Sequence, residues 1–416
     1  MSPGTLIVVE TGRGEFGMRP LLEAKKLGLK TLLLARAPEM YGSTESDRAM
    51  MRLAVDEVLQ SDTRDSGGVL TALEGREDRA DYVGAFSALD YFMPMAAVVA
   101  RAFGLPGADP RAVEAARNKV AMRAITDAAG VPTPPHRAVR TARELEAALR
   151  DIGLPVIVKP PADAAGIGVR LCFDELEAVS HFESLASRDS NMRGQKLDGG
   201  VLVEKYLIGM DVGIDMIDTG PERVLLGLTD EYTTGAPLFI ENGETFPSVL
   251  PRAVQKECVA VAEAALDALG FHFGASHVEV KITADGPVLI EVNPRMGGGG
   301  IPEMIELATG VPAVRELLRL HVGGRPDLVP TVALGAASKS VIADKVGSFH
   351  HFNGADLAER HPGFHKFVAF ASAGTPIDEA VDDRADLGYA LFTGNSPGEA
   401  ERRASAGVGE ITAVIN

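Results

Sequence analysis

The chain has 416 residues, too many for one ordinary hydrophobic core, and this length predicts two to four domains. Apolar residues make up 46% and charged residues 24%, a globular composition that excludes a disordered or fibrous chain. The formal net charge is −17, and because the acidic residues are scattered along the chain, their field would repel a polyanion. We therefore expect no nucleic-acid partner, and any anion site must concentrate positive charge locally.

Strand and helix patterns alternate in the first part of the chain. Residues 5–10 and 30–34 are short apolar runs, residues 18–27 have helical spacing, and another strand is predicted at 82–86. This alternation predicts a parallel sheet covered by helices, so we assign residues 1–115 to a Rossmann-like domain. The proline-rich stretch that follows, VPTPPH, cannot be helical and marks a passage between units.

The rest of the chain mixes helices with mostly antiparallel strands. The predicted elements are helices at 142–152 and 253–269 and strands at 155–160, 168–173, 201–207, 212–217, 224–228, 277–283 and 287–293. We assign residues 116–200 to a linker helix and a small α+β unit, residues 201–322 to a core sheet, and residues 323–416 to a C-terminal α+β module. The predicted fold class is thus α/β and α+β.

The hairpin predicted at 277–293 carries the strongest chemical signal. Alternate side chains of a strand share a face, so Glu279 lies on the same face as His277. Glu291 and Asn293 likewise share a face of the next strand. Two carboxylates and an amide are oxygen ligands suited to Mg²⁺. A solvated face of an edge hairpin is the alternative interpretation of either glutamate alone.

An anion site is predicted directly after this hairpin. Arg295 is followed by four glycines, and Pro302 then opens a helix, where its missing N–H costs nothing. Backbone amides and the positive end of a helix therefore lie beside a guanidinium group. Such a place suits a carboxylate or a phosphoryl group.

The segment EVNPRMGGGG resembles the catalytic core of the ATP-grasp superfamily, in particular its carboxylate–amine ligase branch of amino-acid and dipeptide ligases. The resemblance implies a Rossmann-like domain that precedes the ATP-grasp unit, with the small α+β unit acting as a lid. It implies that Glu279, Glu291 and Asn293 hold one or two Mg²⁺ ions, which Mn²⁺ could replace. It also implies that Arg295 contacts the transferred phosphoryl group or the substrate carboxylate.

Upstream residues match the remaining ATP positions of this family in their expected order. Lys119 and Lys159 match its two phosphate-binding lysines, and the loop PADAAGIGVR matches its phosphate loop, with fewer glycines than usual. The strand VEKYL matches the segment that reads adenine, and Asp211 stands where a glutamate usually contacts the ribose. The implied ATP-binding residues are Lys119, Lys159, Gly166, Gly168, Glu204, Lys205, Tyr206, Leu207 and Asp211.

The resemblance also implies an activity, the ATP-dependent joining of a small-molecule carboxylate to an amine through an acyl phosphate. We expect the substrates to be amino acids or amino-acid-like metabolites. Lys159, Arg295 and Gly298 are the implied catalytic residues. The segment 233–248 resembles the part of these ligases that approaches the amine, and the implied substrate-binding residues are Glu241, His277, Arg295 and Gly299.

Three alternatives remain open. The sequence TGRGEFG has the glycines of a dinucleotide-binding loop at Gly12, Gly14 and Gly17, and Arg36 would suit a 2′-phosphate, so an NADP-dependent oxidoreductase is one alternative. The strand VEKYL is also similar to biotin carboxylase, which makes a carboxylating enzyme the second. A non-catalytic ATP sensor is the third.

Cysteine use and hydropathy bear on the cellular setting. The two cysteines form no CxxC pair, which favours a reducing compartment, and we expect a cytoplasmic protein. The first residues lack the pattern of a signal peptide, and the most apolar helical stretch, 91–104, is shorter than the roughly 20 residues that a bilayer requires. We expect no membrane partner, and we allow for a homodimer.

Overall fold

The computed structural model describes residues 4–12, 14–42, 44–197, 200–378 and 382–416. Four β-sheets organise these residues, two of four strands, one of eight and one of three. Short 3-10 helices occur at Pro38–Gly42, Glu77–Asp81, Asp90–Phe92 and Asp383–Ala385. None of the helices that the structure describes is both long and apolar enough to span a bilayer.

The N-terminal unit is a parallel sheet with helices on both faces. Its elements are β1 (Thr5–Val9), α1 (Gly14–Lys26), β2 (Lys30–Ala35), α2 (Glu45–Ala54), β3 (Glu57–Gln60), α3 (Ser66–Glu74), β4 (Tyr82–Phe86) and α4 (Met93–Ala102). The strand order is β3-β2-β1-β4, and neighbouring strands run parallel. All residues of β1 are buried, because a parallel sheet is covered on both faces. The parallel sheet predicted from the sequence is confirmed. Arg13, in the glycine loop after β1, lies outside the described residues.

Two helices lead from this unit towards the next sheet, α5 (Pro110–Arg117) and α6 (Lys119–Ala128). The single residue between them, Asn118, is the N-cap of α6. Its side-chain oxygen accepts hydrogen bonds from Val120 N and Ala121 N, both at 3.1 Å. This cap satisfies two backbone donors at the helix start and fixes the first residue of α6, Lys119, in place.

A small antiparallel sheet follows, with two helices on one face. Its elements are β5 (His136–Val139), α7 (Ala142–Ile152), β6 (Val156–Lys159), β7 (Arg170–Cys172), α8 (Glu175–Ala186) and β8 (Val201–Lys205), in strand order β5-β8-β6-β7. We call this unit the lid sheet. The sequence assigned β8 to the core, but Val201 and Val203 of this strand complete the hydrophobic core beneath the lid helices. The proposed division at residue 200 would therefore lie within the lid sheet.

The large sheet contains eight antiparallel strands. The elements of this part of the chain are β9 (Met210–Thr219), β10 (Arg223–Thr233), β11 (Glu241–Phe246), α9 (Arg252–Leu269), β12 (Phe273–Thr283), β13 (Gly286–Asn293), α10 (Ile301–Thr309), α11 (Ala313–His321), β14 (Gly335–Ile342), β15 (Gly347–Asn353), α12 (Ala355–Ala358), β16 (Phe364–Ala369), β17 (Pro376–Ile377), β18 (Asp386–Gly394), α13 (Pro397–Val408) and β19 (Thr412–Ile415). The order in the large sheet is β13-β12-β9-β10-β11-β14-β18-β16, and β17, β15 and β19 form the three-stranded sheet.

The large sheet joins the two C-terminal parts that the sequence separated. Strand β14 pairs with β11, so β14, β18 and β16 continue the core sheet beyond the proposed boundary at residue 322. The N-terminal unit packs against the same body, because Leu6 and Phe86 share one hydrophobic core with Met304 of α10 and Leu391 of β18. The lid sheet has a separate core. The cleft between the lid sheet and the large sheet is where the predicted site residues meet.

Candidate functional site

A cleft of about 500 Å³ lies between the lid sheet and the large sheet. Its lining contains nearly every residue that the sequence predicted for the site. The predicted residues that line it are Lys119, Lys159, Gly166, Glu204, Lys205, Tyr206, Leu207, Asp211, Glu241, His277, Glu279, Glu291, Asn293, Arg295, Gly298 and Gly299. Side chains that are distant in sequence are thus brought to one cavity by the tertiary structure.

Gly168 is the exception among the predicted residues. It does not line the cleft; a Cβ atom at this position would lie 2.9 Å from Leu185 Cδ2, and its carbonyl oxygen lies 2.8 Å from His181 Nε2. The φ of +75° and the close packing on α8 both require glycine. Gly168 therefore fixes the base of the loop, whereas Gly166 faces the cavity.

The two predicted lysines are buried and paired with carboxylates. Lys119 Nζ lies 2.7 Å from Glu291 Oε1, across 172 positions of sequence, and donates to the carbonyl of Asp163 at 3.1 Å. Lys159, the last residue of β6, places its Nζ 2.6 Å from Glu204 Oε2. Burial lowers the pKa of Lys159 even though Glu204 opposes the shift. An anion in the cleft would favour the protonated form of this lysine.

Glu204 lines the cleft, and its side chain pairs with two cations that the sequence did not assign to it. Its backbone pairs in the ladder between β5 and β6, and its buried side chain accepts from Arg123 Nε at 2.5 Å as well as from Lys159. Burial alone would raise the pKa of Glu204, but the two cations lower it to about 2. Glu204 thus acts as the counter-charge of a cationic cluster. Sequence reasoning missed Arg123, which carries no motif signal on its helix.

The segment after Glu204 borders one end of the cleft. The N–H of Lys205 donates to Pro135 O at 2.8 Å and the N–H of Tyr206 to Pro155 O at 3.3 Å. No such protein acceptor is found for the N–H of Leu207 among the described residues. The Tyr206 ring also lies 5.7 Å from the Phe239 ring, so this end of the cavity has an aromatic wall.

Asp211 also lines the cleft, but its carboxylate already has a partner. Lys281 Nζ lies 2.8 Å from both of its oxygens, and the two residues are direct neighbours in the register of β9 and β12. The sequence predicted only a ribose contact for Asp211. Alternation along β12 places Lys281 on the same face as Glu279, and this was a signal for the pairing.

The predicted metal residues face one another across β12 and β13. The register pairs Glu279 with Glu291 and His277 with Asn293, and Asn293 Nδ2 donates to Glu279 Oε1 at 3.0 Å. Burial, together with the charge of Glu291, raises the pKa of Glu279 to about 7. Two carboxylates and the remaining amide oxygen are hard donors that fit Mg²⁺, and the raised pKa reflects a deficit of positive charge that a divalent ion would offset. Among the described residues no group of three or more His, Cys, Asp or Glu residues could hold a metal ion, so this set depends on Asn293 and on oxygens from a ligand.

His277 is held by two acidic residues that the sequence did not identify. Its Nδ1 lies 3.2 Å from Asp215 Oδ2, and its Nε2 lies 3.2 Å from Glu231 Oε1. Burial would lower the pKa of His277, but these carboxylates raise it well above the ordinary value. Asp215 also accepts from Gly297 N at 2.9 Å. Asp215 therefore anchors the glycine turn to the sheet. His277 holds Asp215 and so positions the turn through it.

Arg295 crosses from the glycine turn to the N-terminal unit. Its Nε donates to Asp90 Oδ2 at 2.8 Å. Asp90 is 205 positions away from Arg295 in the sequence. Burial favours the neutral form of Asp90, but Arg295 lowers the pKa of this carboxyl. Gly298 is exposed in the turn, and Gly299 has a φ of +52° and would place a Cβ 3.0 Å from Glu244 Oε1. Arg295 and the glycine amides thus form a corner whose donors suit an anion, which we call the anion-binding corner, and Asp90 orients Arg295 within it.

The part of the cleft beside the glycine turn contains acidic side chains. Glu241 is accessible from the cleft yet surrounded by protein, and this environment together with Asp383 raises its pKa well above the usual value. Burial and the charge of Glu231 raise the pKa of Glu244 to about 8. The Glu244 carboxylate is hydrogen bonded to Ser338. This part of the cleft therefore favours a positively charged ligand, because a nearby cation would stabilise the ionised carboxylates.

Gly12 and Gly17, in the loop after β1, pack closely on one another. A Cβ atom on Gly17 would lie 2.0 Å from the carbonyl carbon of Gly12, so these glycines allow the loop to pack closely on α1. Glu10 occupies the end of β1 and accepts from Arg36 N at 2.9 Å and from Thr63 Oγ1 at 2.6 Å. A buried carboxylate at this point would repel a pyrophosphate.

A lid sheet closing over a large antiparallel sheet, with lysines and paired carboxylates facing one cleft, defines a nucleotide-dependent enzyme of the ATP-grasp class. The ATP-grasp domain family matches residues 152–303, and the family described as L-amino acid ligase C-terminal domain 2 matches residues 340–416. The uncharacterized protein y4rH of Sinorhizobium fredii is 32% identical over 400 residues, which cover 95% of this chain and 80% of that protein. The chain belongs to the ATP-grasp family.

Two further similarities concern ligases. The alanine–anticapsin ligase of Bacillus amyloliquefaciens is 28% identical over 256 residues, covering 58% of this chain and 54% of that protein. The chain thus matches about half the length of this relative. The crystal structure of an L-amino acid ligase from Bacillus licheniformis superposes with a TM-score of 0.83 at 20% identity over the whole of both chains. At that identity the likeness establishes the fold, and the predicted fold class is confirmed.

Proposed function

We propose that this protein is an ATP-dependent carboxylate–amine ligase that forms an amide or peptide bond through an acyl phosphate and releases ADP and phosphate. The observation that carries the proposal is the ion pair between Lys119 and Glu291, at 2.7 Å. It brings a phosphate-binding candidate and a metal-binding candidate into contact across one cleft. Phosphoryl transfer requires this combination, because its catalysis consists mainly of positioning and charge stabilisation.

The phosphates of ATP would lie between the buried lysines and the paired carboxylates. Lys119 would leave Glu291 and donate to a phosphate oxygen, while Lys159 would share its protons between Glu204 and the nucleotide. Mg²⁺, or Mn²⁺ in its place, would be held by Glu279, Glu291 and Asn293 and would offset the negative charge of the phosphates. The adenine would lie beside Tyr206, with the N–H of Leu207 as donor.

The chemistry consists of two substitutions. A carboxylate oxygen of the first substrate attacks the terminal phosphorus, and the bond to the ADP oxygen breaks. The amine of the second substrate then attacks the carbonyl carbon, the bond to phosphate breaks, and the amine loses a proton. Arg295, oriented by Asp90, and the amides near Gly298 would stabilise the oxyanion at this carbon. Closure of the lid sheet would exclude water from the acyl phosphate.

The acidic part of the cleft suits the amine. The pKa values of Glu241 and Glu244 are raised, and an ammonium group bound beside these carboxyls would favour their ionised forms, which could then accept its proton. Amino acids carry both a carboxylate and an ammonium group, so they match Arg295 and these two carboxyls. The similarity to the alanine–anticapsin ligase and to the L-amino acid ligase family supports amino acids or related metabolites as substrates.

The alternatives have less support. The glycine loop packs on itself and faces the buried carboxylate of Glu10, which disfavours an NADP-dependent oxidoreductase. Ligases among the similar proteins favour amide formation over carboxylation and over a non-catalytic sensor. Both cysteines, Cys172 and Cys258, are free and buried, which fits our proposal of a cytoplasmic enzyme. A homodimer stays a prediction.

An assay of ADP release tests the proposal. Purified protein is incubated with ATP, Mg²⁺ and pairs of amino acids, and products are identified by mass spectrometry. We expect amine-dependent ADP release with an amide product, and a loss of at least about 100-fold in Glu291→Ala. Glu263→Ala, on the exposed face of α9, is the matched control and should keep full activity. Undiminished turnover in Glu291→Ala would refute the metal assignment, and NADPH turnover without ADP would refute the ligase.

A further inference from the structure

A second cavity of about 260 Å³ adjoins the cleft. The two share Asp90, Arg295, Gly298 and Gly299, so the second cavity opens at the anion-binding corner. From there it extends between the N-terminal unit and the start of β12, and Gly12 and Gly17 of the glycine loop form part of its wall. We call it the side pocket. Its position makes it continuous with the place where a substrate carboxylate would react.

The walls of the side pocket are apolar, and small residues create its space. Helix α4 contributes Ala96, Ala97 and Ala100, and the rings of Phe86 and Phe273 close the far end. A dry cavity of about 150 Å³ is enough for a benzene molecule, so the larger volume here accepts an aromatic ring. The charged residues of its lining are Arg19, Asp90 and Arg295, of which the last two lie at the mouth. The pocket therefore favours a large apolar group over a charged one.

The imidazole of His321 brings polar atoms to the part of the lining formed by the two phenylalanine rings. This residue is 8% exposed and its ring stacks edge-on between Phe86 and Phe273, with centroid distances of 5.2 and 5.3 Å. Its Nδ1 lies 3.1 Å from the carbonyl oxygen of Ala85, so Nδ1 carries the proton and donates there. Burial lowers the pKa of His321 to about 4, which keeps the imidazole neutral near pH 7.

The other ring nitrogen is consequently an acceptor without a donor. Nε2 has no hydrogen-bond partner among the described residues, and a Cβ atom at Gly274, in the wall of the side pocket, would lie 3.6 Å from it. Nε2 keeps some accessible surface, so a donor that enters the pocket, water or a ligand hydroxyl, can hydrogen bond to it. The Nε2 lone pair is thus a hydrogen-bond acceptor in the apolar part of the side pocket, where a donor group of a ligand can bind to it.

We propose that the side pocket binds the side chain of the carboxylate substrate and selects a large apolar group, best an aromatic ring whose tip carries a hydroxyl that donates to His321 Nε2. The inference rests on the proposed function, because Arg295 at the mouth then holds the carboxylate of the same substrate. An α-amino acid with a phenol side chain combines these features. An α-amino acid with a methyl side chain would leave the side pocket unfilled and would supply no donor to His321 Nε2.

Binding is measured directly, so that the test does not depend on turnover. L-Tyrosine, L-phenylalanine and L-alanine are titrated calorimetrically into the full chain, and ADP release is assayed in parallel with each as carboxylate donor. We expect affinity to fall from tyrosine to phenylalanine to alanine. Ala108→Phe fills the pocket from its half-buried wall and should weaken tyrosine and phenylalanine at least tenfold while sparing alanine. Ala406→Phe, exposed on α13, is the matched control.

His321→Phe is the second variant, and it keeps an aromatic ring between the two phenylalanines. It should weaken tyrosine about tenfold, the worth of one buried hydrogen bond, and leave phenylalanine nearly unchanged. Circular dichroism checks that each variant is folded. If Ala108→Phe does not fold, the tyrosine-to-phenylalanine ratio in His321→Phe decides the question.

The outcomes separate the two proposals. Selective binding of tyrosine that both variants reduce supports the side pocket, and if no ADP then forms with any pair, only the ligase is refuted. Alanine-dependent ADP release with equal affinities for all three amino acids, or equal losses in Ala108→Phe, overturns the side pocket and leaves the ligase standing. Absence of binding by all three amino acids overturns the side pocket as well.

Discussion

Two cations share the buried carboxylate of Glu204, and only one of them lines the cleft. Lys159 Nζ and Arg123 Nε lie 2.6 and 2.5 Å from the two oxygens of Glu204, but Arg123 is fully buried and does not line the cleft. Replacing either cation by methionine removes one positive charge from the same cluster. The pair Lys159→Met and Arg123→Met therefore separates a catalytic contact from a structural one.

The magnitudes follow from the charges in the cluster. Two cations and one carboxylate leave a net charge of +1, and either single replacement brings it to zero with Glu204 still paired. Each replacement should cost roughly 1–3 kcal/mol of stability, the usual worth of a hydrogen bond to a charged group. Glu204→Ala is different, because it leaves two buried cations without a counter-charge and should cost roughly 3–5 kcal/mol.

The two methionine variants should differ strongly in activity. Loss of one charged contact to the transferred phosphoryl group costs about 2.7–4 kcal/mol, so kcat/KM of Lys159→Met should fall roughly 100- to 1,000-fold. Arg123→Met should stay within about tenfold of the wild type. Urea unfolding and steady-state ADP release measure the two effects on the same samples. Equal losses of activity in both variants, or near-normal turnover in Lys159→Met, would refute this division of roles.

Two further predictions concern stability. The pKa of Glu244 is about 8 in the folded chain against 4.5 for the free side chain, so the folded state holds the proton more tightly. Protonation of Glu244 therefore stabilises the fold, fully below about pH 4.5 and progressively less as the pH rises towards 8. Glu244→Gln should therefore flatten the decline of unfolding free energy between pH 5 and 8, and a profile parallel to that of the wild type would contradict the buried, protonated carboxyl. Gly17→Ala should destabilise the chain by at least about 2 kcal/mol more than Gly14→Ala. A Cβ at position 17 would lie 2.0 Å from the carbonyl carbon of Gly12. A Cβ at position 14 would meet no atom within 4 Å, so Gly14→Ala costs only about 1–2 kcal/mol for its φ of +67°. Equal urea midpoints for the two glycine variants would exclude the close approach of the loop.

The sequence predicted the parts of the site that local pattern controls. Alternation along a strand decides which side chains share a face, so Glu279 and His277, and Glu291 and Asn293, could be assigned before any pairing was known. The run EVNPRMGGGG and the order of the two lysines then identified the family. Predicted strand and helix limits differ from the observed ones by a few residues, because local propensity does not determine where a ladder ends.

Pairings between distant segments could not be read in the same way. Nothing near Glu204 indicates that Arg123 is its partner, and nothing near Arg295 indicates Asp90, since these contacts follow from how the units pack. Strand β8 was assigned to the core sheet from the sequence by the proposed division at residue 200, and only its neighbours β5 and β6 assign it to the lid sheet. Gly168 looked like a phosphate contact, and only the packing of α8 excludes it from the cleft lining.

The sequence by itself determined the fold class, the family and the chemistry of the cleft, because strand periodicity and short motifs are local properties of the chain. Tertiary structure alone decided which charges neutralise one another and where the side pocket lies. Both depend on surfaces from three units meeting, and residues such as His321 and Ala108 acquire a role only when those surfaces enclose a common space.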